Sequence, residues 1–223
     1  MPESPSFTKK SFFSFFIVIL VLSALFCSCS NNAPQIANAK LSIIFDYDSY
    51  EELPQARLSV FVEAISNPRR FESIYVSSNK NELVWESSNL IMAENKETKY
   101  CGITNMVMPQ KEEIPAGEYT ISYRQADEEE KEIKAYLNYN KELYKTVGGQ
   151  AAEIMKKNAA SRMLIVYDQE KNIIYYGPRS QDFSTARGIW NTYPQAAEFQ
   201  ESWVSSNGSV ICNMPLEKVL PGN

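Results

Sequence analysis

The tightest constraint on this chain is an apolar period of two. Leu41, Ile43, Phe45 and Tyr47 alternate with Ser42, Ile44, Asp46 and Asp48. Leu58, Val60, Val62 and Ala64 alternate with Ser59, Phe61, Glu63 and Ile65. Successive strand side chains point to opposite faces, so each stretch turns one apolar row inward. Further strands are expected over 71–76, 83–86, 100–108, 119–124 and 132–137, with Pro54, Asn67-Pro68, Asn79-Lys80-Asn81 and Pro115-Ala116-Gly117 as punctuation. Short strands with regular turn signals bury one face each, and two sheets packed face to face bury it well. The expected class is mainly β, a sandwich over 39–138.

One motif sharpens this. Ile114-Pro115-Ala116-Gly117-Glu118-Tyr119-Thr120-Ile121 resembles the Gly-x-Tyr start of strand F in immunoglobulin-like and fibronectin-like domains. The resemblance implies that Tyr119 closes a corner by bonding upstream backbone and that Ile121 faces the core. It covers under half of the chain. The inter-sheet cysteines of antibody domains are missing, and Tyr75 stands where their strand C tryptophan is expected, with Trp85 falling later.

From 139 to 223 the pattern changes to a small α+β module. After Gly148-Gly149, a helix over 150–159 has Ala151, Ile154, Met155 and Ala159 on one face. Met163–Tyr167 and Ile173–Tyr176 read as a hairpin. Ser184 is placed to cap a helix reaching Trp190, and Pro194 to open another towards Glu201. Asn207-Gly208 predicts a two-residue hairpin turn with both residues at positive φ, pairing Ser206 with Ser209 and Trp203 with Cys212.

The first thirty residues specify location. Lys9-Lys10 precedes an uncharged apolar run from Ser11 to Phe26, shorter than the ~20 residues a spanning helix needs. That is a secretory leader, with a retained membrane anchor as the alternative. Leu25-Phe26-Cys27-Ser28-Cys29-Ser30 then resembles the lipobox of bacterial lipoproteins. The resemblance implies acylation of Cys29, which has Ser28 before it, rather than Cys27, which follows bulky Phe26. Residues 1–28 would be the leader and 29–38 a tether. Ser30 implies outer-membrane sorting in the cell envelope, with the membrane as a partner through the lipid.

Cys101 and Cys212 would then remain in an oxidising compartment, either as a disulfide or as two buried thiols. The chain has no His, which removes the commonest general base and metal ligand. No cofactor or metal is expected. Among carboxylates, Asp46, Asp48, Glu51 and Glu52 are one candidate calcium cluster and Asp127–Glu132 another. Both also read as solvated loops. Net charge is −5, and −6 once Glu3, Lys9 and Lys10 leave with the leader. No basic face exists for nucleic-acid phosphates.

The segment from Tyr167 to Trp203 concentrates eight aromatics in 37 residues: Tyr167, Tyr175, Tyr176, Phe183, Trp190, Tyr193, Phe199 and Trp203. This density is either the module's own core or a platform for a protein or glycan. Tyr175 and Tyr176 are consecutive in a strand and must face opposite ways, so they and Trp190 are the candidate contact residues. No nucleophile motif or phosphate loop is present, and a non-enzymatic binding or structural role is expected. The alternatives are a hydrolase using Asp168 and Asp182 as its carboxylate pair, or an accessory subunit of an envelope complex.

Overall fold

The alternation at 41–48 and 58–65 does build strands. The computed structural model describes residues 35–219 except 66–67, 81, 96–97, 110–111 and 126–129. The leader, Cys29 and the acidic run Asp127-Glu128-Glu129 lie outside the described residues. In chain order the first half forms β1 (Ile36–Asp46), β2 (Gln55–Ala64), β3 (Phe71–Ser78), β4 (Val84–Ser87), β5 (Ile91–Asn95), β6 (Thr98–Val107), β7 (Gly117–Gln125) and β8 (Glu130–Leu137). The second half forms helix α1 (Gly148–Lys157), strands β9 (Ser161–Tyr167) and β10 (Ile173–Pro178), helix α2 (Ala186–Thr192), β11 (Glu198–Val204) and β12 (Val210–Lys218).

The strands make two sheets. The large one has the order β10-β9-β11-β12-β1-β2-β6-β5, and the small one β4-β3-β7-β8. The fold is mainly β and sandwich-like. Leu41, Ile43, Phe45, Leu58, Val60 and Val62 face Ile74, Val76, Ile121 and Tyr123 of the small sheet in one core. Ala151 and Met155 of α1 join that core. The tyrosine corner forms as the Gly-x-Tyr motif implies: the Tyr119 hydroxyl donates to the Pro115 carbonyl at 2.6 Å. Gly117, at φ 145, takes a backbone conformation that side chains disfavour, and this sets up the corner.

Several expectations are corrected. The boundary at 138/139 does not separate two sheets, because β12 pairs in parallel with β1, Phe45 opposite Cys212. The later strands therefore extend the first sheet. Ile36 already pairs with Ala64, so β1 begins inside the expected 29–38 tether. Strand β5 was hidden by its short, mixed sequence Ile91-Met92-Ala93-Glu94-Asn95. Pro194 does not open a helix. Residues 198–204 are strand β11, where Phe199, Glu201 and Trp203 alternate with Gln200 and Ser202. Helix α2 is capped by Thr185, whose hydroxyl accepts from the Gly188 N–H, rather than by Ser184.

The Asn207-Gly208 hairpin is also wider than expected. Trp203 does sit opposite Cys212. The closing bond, however, runs from the Ser205 N–H to the Val210 carbonyl, so Ser206 and Ser209 are not a ladder pair. Only Gly208 has positive φ. The Asn207 side-chain oxygen instead accepts from the Ser209 N–H at 3.1 Å and from the Ser205 hydroxyl at 2.9 Å, bracing the loop from inside.

Cys101 and Cys212 are free, buried thiols, so the disulfide is not formed. The topology gives the reason. Cys212 is on β12 and Cys101 on β6, three interstrand steps apart. At about 4.8 Å per step the gap is about 14 Å, twice the reach of a disulfide. Burial pushes both thiols up to about 12.

Candidate functional site

Register sorts every large-sheet side chain onto one of two faces. One face carries the sandwich core. Further along the same face, Leu164, Val166 and Phe199 form a second core with Phe183 and Ile189. A 3-10 turn at Gln181–Phe183 and α2 cover this wing. The other face has no helix or strand of the described residues packed against it. Ile44 marks the distinction: it is buried, yet it belongs to neither core.

The adjacent tyrosines divide between these faces. Tyr175 lies against Val166 and turns into the wing core, its ring 5.0 Å from Phe183 and 5.7 Å from Tyr193. It folds over Gly177, where a Cβ would come within 2.6 Å of its hydroxyl, and it donates to the Pro178 carbonyl at 2.9 Å. A register shift between Ile173 and Tyr175 brings Ile174 against the same core. Tyr176 points the other way, opposite Ile165, and is 57% exposed. Trp190 packs against the wing core and is half-buried. Of the three sequence-predicted contact residues, Tyr176 alone stands on the open face.

The other residues of its face come from four further strands. One row runs Tyr176, Ile165, Gln200, Leu216 across β10, β9, β11 and β12. The next runs Met163, Ser202, Asn213, Asp46 across β9, β11, β12 and β1. Beyond Met163 the second row is polar and hydrogen-bonded throughout. Asp46 accepts from Arg57 Nε at 2.5 Å and from Asn213 Nδ2 at 2.8 Å, and Ser202 donates to Asn213 at 2.8 Å. Arg57 also donates to the Thr104 carbonyl at 2.6 Å. Tyr167 donates to Gln200 Oε1 at 3.4 Å. Its phenol is held above its usual range, mainly by burial and next by the Asp46 charge. Apolar rings beside a rigid set of amides and charges suit a ligand with both ring-like faces and hydrogen-bonding groups.

A second polar cluster sits on the covered face, between the two cores. The Glu201 carboxylate accepts from Arg162 at 2.8 and 2.6 Å and pairs with Arg179. Burial, then the Arg162 charge, holds the Arg179 guanidinium below its usual range. The Tyr50 hydroxyl donates to Glu217 at 2.9 Å, and its phenol is pushed up to about 12 by burial and that bond. This knot ties strands together, with each of its carboxylates already engaged by an arginine or a phenol.

The other candidates are not assembled into sites. Asp168 is half-exposed and spent on its own turn, accepting from the Asn172 N–H at 2.8 Å, and the Asn172 amide holds its carboxyl below the usual range. Asp182 is exposed on the 3-10 turn. Neither has the apolar surroundings of a general acid. Asp46 is engaged by Arg57, Asp48 by Gln55 and Glu51 by Ser49. No group of three potential metal ligands occurs among the described residues. No helix among them is long and apolar enough to cross a membrane.

Sequence reasoning missed Ile165, Met163, Gln200 and Asn213 as neighbours of Tyr176. The alternation of Gln200 and Ser202 with Phe199 and Glu201 was the available signal, and the helix reading of Pro194 hid it. No protein-family model matches this chain, and no curated protein is significantly similar to it.

Proposed function

We propose that this chain is a lipid-anchored cell-envelope protein that binds a protein or glycan partner through the open face of its large sheet. The observation that carries the reading is the exposed Tyr176 ring beside Ile165, Tyr167 and Met163, on a face outside both cores of the described residues. A large exposed ring next to apolar neighbours is the usual anchor of an interface. The lipobox-like residues ahead of β1 support the anchoring. Two or more acyl chains at Cys29 would hold the domain on a bilayer, each buried CH₂ contributing about 0.8 kcal/mol.

Site-specific photocrosslinking in intact envelopes tests the binding face. A crosslinker at position 176 should give a discrete adduct, and one at 136 should not, although Tyr136 on β8 is 69% exposed. Equal adducts at both positions, or none at 176, would overturn the reading. Acyl labelling of Cys29→Ala tests the anchor separately, with loss of label expected.

A further inference from the structure

The β1–β2 loop and the end of β6 enclose a groove at the pole of the sandwich remote from the start of β1. It has a volume of about 500 Å³. Its apolar lining includes Leu53, Val107 and Tyr144, and its charges are Asp48, Glu52 and Glu112, with no Lys or Arg among the described lining residues. Glu52 and Glu112 make no ion pair among the described residues, and both are exposed. Leu53 and Val107 are 56% and 54% exposed, large for aliphatic side chains.

Backbone and side-chain hydrogen bonds tie down the segments that carry the lining. The Gly148 and Gly149 N–H groups, opening α1, donate to the Glu52 and Tyr50 carbonyls at 3.3 and 2.9 Å. The Tyr50 hydroxyl is fastened to Glu217. On the other wall the Tyr144 hydroxyl accepts from the Ile114 N–H at 2.7 Å. A loop tied at both ends of its exposed segment does not lose that entropy again on binding.

We propose that this groove docks a cationic, amphipathic segment of a partner protein, its Lys or Arg heads meeting Glu52 and Glu112 while its aliphatic side chains cover Leu53 and Val107. Two observations select this occupant. The groove has carboxylates over an apolar floor with no countercharge in its described lining, on a chain of net charge −5, so the complement is basic and apolar together. The groove also lies where a soluble partner reaches it. β1 carries the chain about 35 Å from Ile36 to this pole, while six residues from Cys29 to Gln35 span at most ~20 Å. The second point rests on the anchored reading above. The groove is distinct from the Tyr176 face.

The test uses the full chain in a neutral detergent and a fluorescent Lys-Leu-Lys-Leu-Lys-Leu-Lys peptide, with its Glu-for-Lys analogue as control. Saturable binding of the basic peptide alone, weakening as salt rises, is expected. Glu52→Gln with Glu112→Gln should weaken it about tenfold, and Leu53→Ser about fivefold, while Tyr176→Ala leaves it unchanged. Unaltered affinity in the Glu52→Gln, Glu112→Gln chain would overturn the proposal, as would equal binding of the acidic peptide or self-association of the chain through this pole. Loss of binding in Tyr176→Ala alone would place the peptide on the open sheet face, sinking the groove while sparing the anchored-binder reading. A parent chain that carries no acyl label at Cys29 but still binds the peptide would sink the anchored reading and leave the groove standing.

Discussion

The covered face of the large sheet is finished in two ways. Over β1, β2 and β6 lies a second sheet, and the core between them includes fully buried Leu58, Val60, Ile74, Ile121 and Tyr123. Over β9 and β10 lie a 3-10 turn and a two-turn helix, α1 reaches β11 and β12, and the core of the wing is a handful of residues around Leu164, Val166 and Ile189. A second sheet supplies alternate side chains along its whole length, whereas a short helix supplies one stripe. The wing therefore depends on the β11–β12 pairing that joins it to the sandwich and on the ion knot at Glu201, which ties β9, β11 and the end of β10 to one another within it.

The largest expected effect is at that knot. Glu201→Ala leaves Arg179 charged and mostly buried with its partner gone, a change that costs about 3–5 kcal/mol for buried pairs. Arg162 is half-exposed and water can take over its share, so the lower end of that range is expected. Denaturant unfolding measures the loss. A change below about 1 kcal/mol would mean that backbone pairing and the small apolar core alone hold the wing strands together.

A pair of leucines then asks whether the regions unfold together. Leu58 and Leu164 are both fully buried, one in each core. Either truncation to Ala should cost about 2–4 kcal/mol. Hydrogen exchange separates them. Leu58→Ala should speed exchange throughout, whereas Leu164→Ala should speed it in β9, β10 and α2 and spare β2 and β6. Uniform acceleration in both variants would show a single cooperative unit.

Smaller again is the corner on the sandwich side. Tyr119→Phe removes one bond to the Pro115 carbonyl and keeps the ring stacked on Trp85. The expected cost is about 0.5–1.5 kcal/mol. A cost near zero would assign the corner to packing alone.

The two regions also differed in how far the sequence revealed them. In β1 and β2, alternate apolar residues named the inward face correctly, because both strands are long and turn one row of side chains into the sandwich core. The Gly-x-Tyr corner was legible because its bond is local, four residues apart. The parallel β1–β12 pairing joins residues more than 160 positions apart and leaves no local mark. That pairing merges the second half into the first sheet, separates Cys101 from Cys212, and brings Asn213 to Asp46. Likewise Pro194 is a sound helix opener by itself, and sheet pairing on both sides of β11 outweighed it. Tyr176 was nameable because strand geometry forces neighbours apart, but its surroundings needed the fold.

The smallest stability effect is expected at that residue, and it separates the two faces most sharply. Tyr175 and Tyr176 share a strand, a residue type and a position at the sheet edge. Tyr175 packs on Phe183 and Tyr193 and bonds the Pro178 carbonyl, so its truncation to Ala should cost about 2 kcal/mol or more. Tyr176 gives its ring to solvent, so Tyr176→Ala should stay within about 0.5 kcal/mol of the parent. An interface anchor predicts the reverse order for binding: Tyr176→Ala should lose about 2 kcal/mol of partner affinity, and Tyr175→Ala should lose affinity only as far as it unfolds the wing. Crosslinking yield in the envelope, read beside the melting curve of each variant, gives both numbers. If Tyr176→Ala destabilises the chain as much as Tyr175→Ala does, the open face is part of the fold's own packing and not a surface kept free for a partner.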